Sequence, residues 1–450
     1  MSGMLGVVSY GLGTIVGFIV LAVLVFWFVQ DVTQKKHAVL RNFPVIGRLR
    51  YFFEKQGEYF RQYLFMNDRE ELPFNRSARS WVYRLAKAEG GVIGFGSTSN
   101  TNETGSILFV NAPYPVLEED RLPTPSLIIG ETYARLPFEA KSIVNISGMS
   151  FGAISAPAVR ALSQGAALAG CWMDTGEGGL SPYHLEGGCD IIMQIGTAKY
   201  GIRDRDGNLS AQRAKELAPQ VKAFEIKLSQ GAKPGKGGVL PAAKVSEEIA
   251  RIRGIPLGQD SISPNRHRDI ANVDELLDKV AYLRDLTGRP VGVKTAIGGW
   301  QFINELCEAV NRRGLEYAPD FLAVDGGEGG SGAAPQALMD HMALPIAEAL
   351  PRVVDALIES GLRQRIRVIA AGKLVTSARA AWALCVGADF VNTARGFMFS
   401  LGCIQALRCH QNSCPTGVAT HDKRLQRGLV VQEKRLRVAQ TITATHDVHL

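Results

Sequence analysis

The first thirty residues of the chain contain no charged side chain, although the whole chain of 450 residues carries 50 lysines and arginines and 43 aspartates and glutamates. Within them, residues 5–29 form an apolar run that is long enough to cross a bilayer as a helix. A cleaved signal peptide would place basic residues before such a run and a small-residue cleavage site after it, and the sequence has neither. We therefore predict a transmembrane anchor over residues 1–30.

Basic residues are concentrated directly behind this apolar run, where five lysines and arginines lie between residues 35 and 50. By the positive-inside rule, the chain is predicted to be a single-pass membrane protein whose catalytic part lies in the cytoplasm. Gly13 and Gly17 have a spacing that permits close pairing of helices, so a homo-oligomer is possible. Elsewhere the basic residues are spread along the chain, and the net charge of +7 does not indicate nucleic-acid binding.

Residues 31–140 are predicted to be a juxtamembrane and connecting segment. Residues 41–89 mix aromatic and charged side chains in an amphipathic pattern, which is typical of a helix at the membrane surface or of a packed surface helix. Residues 91–140 are rich in Gly, Asn, Thr and Pro without sustained periodicity, and we expect short strands there.

A regular alternation of short apolar runs and helical patterns begins near residue 142 and repeats eight times. The runs are Ile143–Ser147, Cys171–Asp174, Asp190–Ile195, Ala223–Lys227, Pro290–Lys294, Asp320–Asp325, Ile366–Ala370 and Asp389–Thr393. This pattern predicts an α/β fold, a (β/α)8 TIM barrel over residues 141–425, followed by a C-terminal tail over residues 426–450. A doubly wound fold is the alternative, because residues 325–332 form a glycine-rich turn, but their spacing differs from a dinucleotide fingerprint.

Polar residues follow each predicted strand, at the end of a TIM barrel where active sites form. The seventh and eighth strands are followed by Gly372-Lys373 and by Ala394-Arg395, and the corresponding pair of loops commonly binds phosphate in this fold. Lys294 ends the fifth strand, where a lysine can hold negative charge on a reduced isoalloxazine ring. These positions together predict a site for flavin mononucleotide (FMN).

Three of the seven cysteines, Cys403, Cys409 and Cys414, fall within twelve residues after the last strand. Three thiolates in one loop can hold an iron–sulfur cluster, and a proline follows the last cysteine as it does in bacterial ferredoxins. The spacing also allows buried unligated thiols, or zinc with His410 as a fourth ligand, and a disulfide is disfavoured in the cytosol.

The motif around these cysteines, CHQNSCPTGVAT, resembles the [3Fe–4S] loop of glutamate synthases. Further motifs resemble the synthase domain of that family in order and spacing: MSFGAIS, TGEGG, IKLSQGAKPGKGG, SPNRHRDI, VKTAIGG and DGGEGGSGAAP. The resemblance extends over about residues 142–425. It implies an enzyme that binds FMN and a [3Fe–4S] cluster and reduces 2-iminoglutarate, formed from 2-oxoglutarate and ammonia, to L-glutamate.

The resemblance assigns roles residue by residue. Three residues would face the substrate as catalytic groups, namely Glu177, Lys233 and Arg253. The cluster ligands would be the three cysteines already named. The residues that would contact FMN are Met149, Ser150, Gln194, Lys294, Asp325, Gly326, Gly327, Gly330, Gly372, Lys373, Thr393, Ala394 and Arg395.

The sequence also departs from the family pattern. The chain has Ser2 and a membrane segment where glutamate synthases have the nucleophilic cysteine of a glutaminase domain, so ammonia is expected from outside. The long C-terminal β-helical domain of those enzymes is not found, and Val239 stands where the family usually has glutamine, which leaves the oxo acid open. The alternative function is a membrane-tethered electron-transfer or scaffold subunit acting on another amine or oxo acid. The electron donor also stays open between ferredoxin, a nicotinamide-oxidising partner and a quinone.

Overall fold

The computed structural model describes residues 2–446, with side chains described from residue 11 onward. It divides into two compact units between Ser77 and Ala78. The first residue of the predicted anchor and the last four of the predicted tail lie outside the described residues.

The first unit begins with one long helix, α1 (Ser2–Thr33), which is followed by α2 (Ala38–Asn42), α3 (Gly47–Phe60) and a π-helical turn (Arg61–Phe65). The part of α1 from Gly11 to Thr33 is long and apolar enough to cross a membrane, and its apolar side chains are not buried by the rest of the protein. A helix that is apolar on every side is normally buried in a protein core or in a membrane.

The second unit contains a closed barrel of eight parallel strands, in which each strand pairs with the next along the chain and the last with the first. The strands are β1 (Val144–Ile146), β2 (Trp172–Asp174), β3 (Asp190–Ile195), β4 (Ala223–Lys227), β5 (Val291–Ala296), β6 (Phe321–Asp325), β7 (Arg367–Ala371) and β8 (Phe390–Thr393). The predicted TIM barrel is confirmed, and the ends of its strands differ from prediction by no more than two residues. Two antiparallel pairs lie outside it, Leu127–Ile129 with Phe138–Ala140 and Val239–Leu240 with Ser261–Ile262.

The other α-helices lie before, between and after the strands along the chain. They are α4 (Arg76–Ala86), α5 (Ala156–Ala169), α6 (Pro182–Leu185), α7 (Ala211–Leu217), α8 (Glu247–Arg253), α9 (Val273–Thr287), α10 (Gln301–Arg313), α11 (Gln336–His341), α12 (Ile346–Glu359), α13 (Ser377–Val386), α14 (Arg395–Ser400), α15 (Lys423–Gln426) and α16 (Val431–His446). Short 3₁₀ turns span Glu118–Asp120, Ala218–Gln220, Ala242–Lys244 and Leu315–Tyr317.

The segment 426–450, predicted above as a C-terminal tail, contains α16, which packs along α5. The two helices approach closely because α5 has a glycine at the contact: a Cβ on Gly165 would lie 2.5 Å from the Cβ of Val438. Val438 is fully buried. Helix α16 therefore occupies the place of the last barrel helix, and the cysteine loop is an insertion between β8 and that helix.

The end of the barrel at which the strands begin, called the floor below, is filled with aromatic rings. Trp172 packs edge-on against Phe138 and Phe390, with ring centroids 5.9 and 4.9 Å apart. Phe321 fits because its neighbour has no side chain: a Cβ on Gly292 would lie 2.3 Å from the ring. Each such ring contributes roughly 2–3 kcal/mol through burial of apolar surface, so the floor stabilises the fold.

Candidate active site

A layer of charged and amide side chains fills the barrel above the aromatic floor. Because side chains alternate across a strand, β4 points Ala223, Glu225 and Lys227 inward, in that order toward the strand end. The amide of Gln194 on β3 donates hydrogen bonds to Asp174, at 3.3 Å, and to Glu225, at 2.7 Å. These hydrogen bonds hold both carboxyl groups in place. The end of the barrel at which the strands end is called the mouth below.

Lys294, on β5, lies among these carboxyl groups. Burial alone would lower the pKa of its ammonium, but the negative charges of Asp325, Glu225 and Asp174 outweigh burial and raise that pKa. The pKa of Asp174 rises well above its ordinary value, because the group is buried and faces Glu225. Lys294 therefore stays positively charged inside the barrel at neutral pH.

One cavity opens at the mouth, at the ends of seven of the strands. Nine of the thirteen predicted flavin-contacting residues line it: Gln194, Lys294, Asp325, Gly330, Gly372, Lys373, Thr393, Ala394 and Arg395. The other four, Met149, Ser150, Gly326 and Gly327, do not line it. A Cβ on Gly176 would lie 2.5 Å from the backbone nitrogen of Ser150, next to buried Met149. The amides of Gly326 and Gly327 donate to the carbonyls of Ala371 and Leu344.

Two cations lie together where the loops after β7 and β8 meet. Burial lowers the pKa of the Arg395 guanidinium to about 10. Burial, with the charge of Arg395, also lowers the pKa of Lys373. Lys373 holds a left-handed backbone (φ 55°), which costs a residue with a side chain about 1–2 kcal/mol. Two partly desolvated cations at one end of a cavity fit an anionic ligand group.

The loops after β4 and β6 are locked to each other by glycine contacts. A Cβ on Gly231 would lie only 1.7 Å from the carbonyl oxygen of Gly326, so no larger residue fits there. The amide of Gly231 donates to Asp325 at 2.9 Å, and the amide nitrogen of Gln230 donates to the carbonyl of Gly330, also at 2.9 Å. These contacts hold together the side of the cavity that lies between Lys227 and the two cations Lys373 and Arg395.

Glu177 forms an ion pair with Lys227, whose Nζ lies 2.9 Å from Oε2 of the glutamate. Burial raises the pKa of Glu177, but the charges of Lys227, Lys233 and Arg253 outweigh it and lower that pKa to about 2. Lys227 also donates to Oε1 of Gln230 at 2.7 Å. Lys227 lines the cavity but is not among the predicted site residues. The alternation of side chains along β4, which places Glu225 and Lys227 on the inward side, could have identified Lys227 from the sequence.

Lys233 and Arg253 interact electrostatically with Glu177, but they do not line the cavity formed by the described residues. Nζ of Lys233 donates to the carbonyl of Ala333 at 3.3 Å. Arg253 is 5% exposed, stacks on Tyr200 at 5.2 Å and makes only long hydrogen bonds, of 3.3 to 3.4 Å. Its Nε is buried without a partner in the described part of the chain. Arg253 is thus a buried cation with weakly satisfied donors, rather than a helix-end surface charge.

The cysteine loop places its three thiols near one another, and all three are free. Burial, reinforced by the neighbouring Cys409 and Cys414, raises the pKa of Cys403 to about 12. The amide of Gln405 donates to the sulfur of Cys403 at 3.5 Å, and the hydroxyl of Tyr83 donates to the carbonyl of Cys403 at 2.5 Å. Among residues 11–446, no group of three His, Cys, Asp or Glu side chains has the geometry of a site for one metal ion.

Lys244 joins the cysteine loop to the loop after β1. Its Nζ donates to the carbonyls of Ala153, at 2.6 Å, and of Cys409, at 3.2 Å. On the same side, a ring nitrogen of His421 lies 2.9 Å from the carbonyl of Gly152. The cysteine loop is therefore attached to a loop that borders the mouth.

Residues 109–449 match the family model described as the conserved region in glutamate synthase. The chain belongs to the glutamate synthase family. The glutamate synthase large subunit-like protein YerD of Bacillus subtilis is 42% identical, over 96% of this chain and 90% of that protein. The archaeal glutamate synthase (NADPH) of Methanocaldococcus jannaschii is 36% identical, over 68% of this chain and 57% of that protein.

Membership in the glutamate synthase family supports an oxidoreductase. The chain spans just over half the length of the archaeal relative but nine tenths of the Bacillus one. Among solved structures, a lactate oxidase of Pediococcus acidilactici shares 15% identity over 74% of this chain and 80% of that chain, with a TM-score of 0.40. A likeness at that level adds nothing to the assignment, which rests on the sequence family and on the site.

Proposed function

We propose that the chain is a membrane-anchored oxidoreductase of the glutamate synthase type, which binds FMN and a [3Fe–4S] cluster and forms L-glutamate from 2-oxoglutarate and ammonia. The observation that carries the proposal is the cavity at the barrel mouth. It is lined by Lys294, by the cations Lys373 and Arg395, and by Lys227, which forms an ion pair with Glu177.

The residues around the cavity fit FMN. Lys373 and Arg395 would hold the phosphate, as the loops after the last two strands commonly do in this fold. Small residues leave room for a flat ring: a Cβ on Gly148 would lie 2.9 Å from the carboxylate of Asp174. Lys294 would stabilise negative charge on the reduced ring. When bound, FMN supplies hydride to the imine carbon.

The substrate end fits a dicarboxylic oxo acid, which requires cations to hold its two carboxylates. Lys227 and Lys233 offer ammonium groups, and Arg253 offers a planar fork for bidentate binding of a carboxylate. Glu177, with a pKa near 2, is ionised at neutral pH. It can take a proton from the nitrogen as ammonia adds to the carbonyl and return that proton to the hydroxyl that leaves as water, and the ammonium of Lys227 can supply the proton that completes the amine.

The residues of the cysteine loop fit the proposed iron–sulfur cluster. Three thiols match the three irons of a [3Fe–4S] centre, and each iron would take one thiolate. Hydrogen bonds to sulfur are a recognised means of tuning such centres, and Gln405 makes one to Cys403. The cluster would pass electrons toward FMN from a donor such as ferredoxin, a nicotinamide-oxidising partner or a membrane quinone.

Helix α1 supports the membrane anchor. The basic residues after it favour a cytoplasmic barrel.

A second function is favoured by Val239. It follows Gly238, where an added Cβ would lie 2.0 Å from Oε1 of Glu177, so Val239 lies next to the substrate end. A valine offers no hydrogen bond to a carboxylate. The same cofactors would then serve another amine or oxo acid, or electron transfer alone.

The protein purified in detergent without oxygen tests these assignments. We expect about one FMN and three irons per chain, following the site chemistry above. Changing any one of the three cysteines to serine should remove the cluster's absorption and leave FMN bound. Protein without iron, or with zinc in its place, would reject the cluster, and protein without flavin would reject the cofactor site.

A further inference from the structure

Helix α3 and the turn after it expose a row of large apolar side chains. Phe52, Phe53 and Leu64 are 55%, 59% and 67% exposed. Globular proteins seldom leave contiguous apolar surface of this size open to water, and such a surface marks an interaction site.

Several of the exposed apolar residues lie on one face. Leu49, Phe53 and Phe60 follow one another at intervals of four and seven residues, so they align along α3, and Ile46 lies directly before the helix and Leu64 in the turn after it. The charged side chains of α3 and the turn lie on the other faces: Arg48, Arg50, Glu54, Lys55, Glu58 and Arg61. A helix with this division binds well at a boundary between water and an apolar phase.

A tight contact holds the start of α3 against the end of α1. Arg48 binds the carboxylate of Asp31 through two nitrogens, at 2.6 and 2.9 Å, and the amide of Val45 donates to the same carboxylate at 2.9 Å. Asp31 is 1% exposed, and the guanidinium of Arg48 also lies 5.0 Å from the ring of Trp27. The chain therefore returns to the last turns of the apolar helix before α3 begins.

The charges near this contact favour an anionic surface. No acidic residue occurs between Asp31 and Glu54, whereas Lys35, Lys36, Arg41 and Arg50 do, besides Arg48, which is paired with Asp31. Basic residues beside a membrane segment are attracted to the negative surface of an anionic bilayer.

We propose that α3 and the turn 61–65 form a second membrane contact, in which the apolar face dips into the bilayer beside the end of α1 and the basic residues bind anionic lipid headgroups. This inference rests on the membrane anchor proposed above. With two contacts, the protein is held to the bilayer at two sites and not by one helix alone.

Photolabelling of the full-length protein in lipid nanodiscs tests the proposal. The probe is a phospholipid with a diazirine on its acyl chain, in phosphatidylcholine with added phosphatidylglycerol, and labelled residues are located by mass spectrometry. We expect labels on residues 11–33 and on residues 46–65. Labels on 11–33 alone would overturn the second contact and leave the anchor standing, whereas labels on neither would overturn both.

Two variants sharpen the result. Phe53→Glu should reduce labelling of residues 46–65 by about tenfold and leave residues 11–33 unchanged, because it puts a charge in the apolar face. Ile358→Glu is the control, since Ile358 is equally exposed, at 59%, on α12 of the barrel, and it should change neither.

Omitting phosphatidylglycerol should lower labelling of residues 46–65 several-fold, and no dependence on anionic lipid would overturn the headgroup assignment. Cross-links between α3 segments of two chains, without lipid labels on α3, would assign the face to a second copy and overturn the proposal.

Discussion

The floor and the mouth of the barrel are built from the same eight strands, yet their inward side chains differ in kind. The floor holds the rings of Trp172, Phe321 and Phe390 from barrel strands, and the ring of Phe138 from the antiparallel pair outside the barrel packs against them. The mouth holds carboxylates, lysines and amides that satisfy one another only in part. We therefore expect stability to be concentrated at the floor, and binding and chemistry at the mouth, as is general for this fold.

The two ends also differ in their charged groups, because those of the mouth keep one another ionised. At the mouth, Lys294 remains positively charged because several carboxylates surround it, and Glu177 remains ionised because of Lys227, Lys233 and Arg253. A bound anion or a transferred proton would therefore change the balance of charge among these groups. Substitutions that break the floor should thus unfold the protein, and substitutions at the mouth should change binding and leave the fold intact.

Removing a floor ring should have the largest effect. Phe321→Ala empties a fully buried site and should lower the free energy of unfolding by about 3–5 kcal/mol, measured by denaturant titration. The matched control Leu168→Ala removes an apolar side chain that is 57% exposed on α5 and should change little. Equal losses from both substitutions would contradict the assignment of stability to the floor.

Acid should loosen the segments around two buried histidines before it loosens the floor. A ring nitrogen of His184 lies 2.8 Å from the hydroxyl of Ser181, and one of His267 lies 2.9 Å from the carbonyl of Lys227. Burial lowers the pKa of His184 and of His267 from 6.5 to about 4. Their contribution to the free energy of unfolding is therefore complete above pH 6.5. It declines as the pH falls toward 4, because the unfolded chain takes up protons before the folded chain does. By pH 5 the loss is on the order of 2 kcal/mol for each. Hydrogen exchange should accelerate around residues 181–187 and 263–270, and earlier acceleration at residues 127–140 would contradict this order.

Arg253→Lys should weaken binding of the oxo acid by about 1–3 kcal/mol, because it removes one charge-assisted, bidentate contact. The flavin spectrum titrated with 2-oxoglutarate under reducing conditions gives the affinity, and FMN content serves as the control. Unchanged affinity with full FMN content would give Arg253 a purely structural role and move the substrate contact to Lys227 or Lys233.

Tyr83→Phe should have the smallest effect. It deletes the hydroxyl that donates to the carbonyl of Cys403, a loss of about 1 kcal/mol. We expect faster loss of iron on mild warming, followed by absorbance, with FMN retained. An unchanged rate of iron loss would show that α4 does not help to hold the cysteine loop.

The order of the strands was predictable from the sequence because each strand and its helix are local patterns, and the polar residues at the strand ends follow from that order. Contacts between distant residues were not predictable. Glu177 and Lys227 are fifty positions apart, and Tyr83 is 320 positions from Cys403. Nothing in the periodicity near residue 431 told us that α16 completes the ring of helices, since that position depends on Gly165 in another helix.

The most direct test of the central claim follows electrons from the barrel mouth to an oxo acid. The protein is purified in detergent, photoreduced without oxygen and mixed with 2-oxoglutarate and ammonium, while flavin absorbance and products are recorded. We predict that the flavin reoxidises only when both compounds are present, with one L-glutamate formed per flavin reoxidised. A bound flavin that stays reduced and yields no glutamate would contradict the proposed reaction.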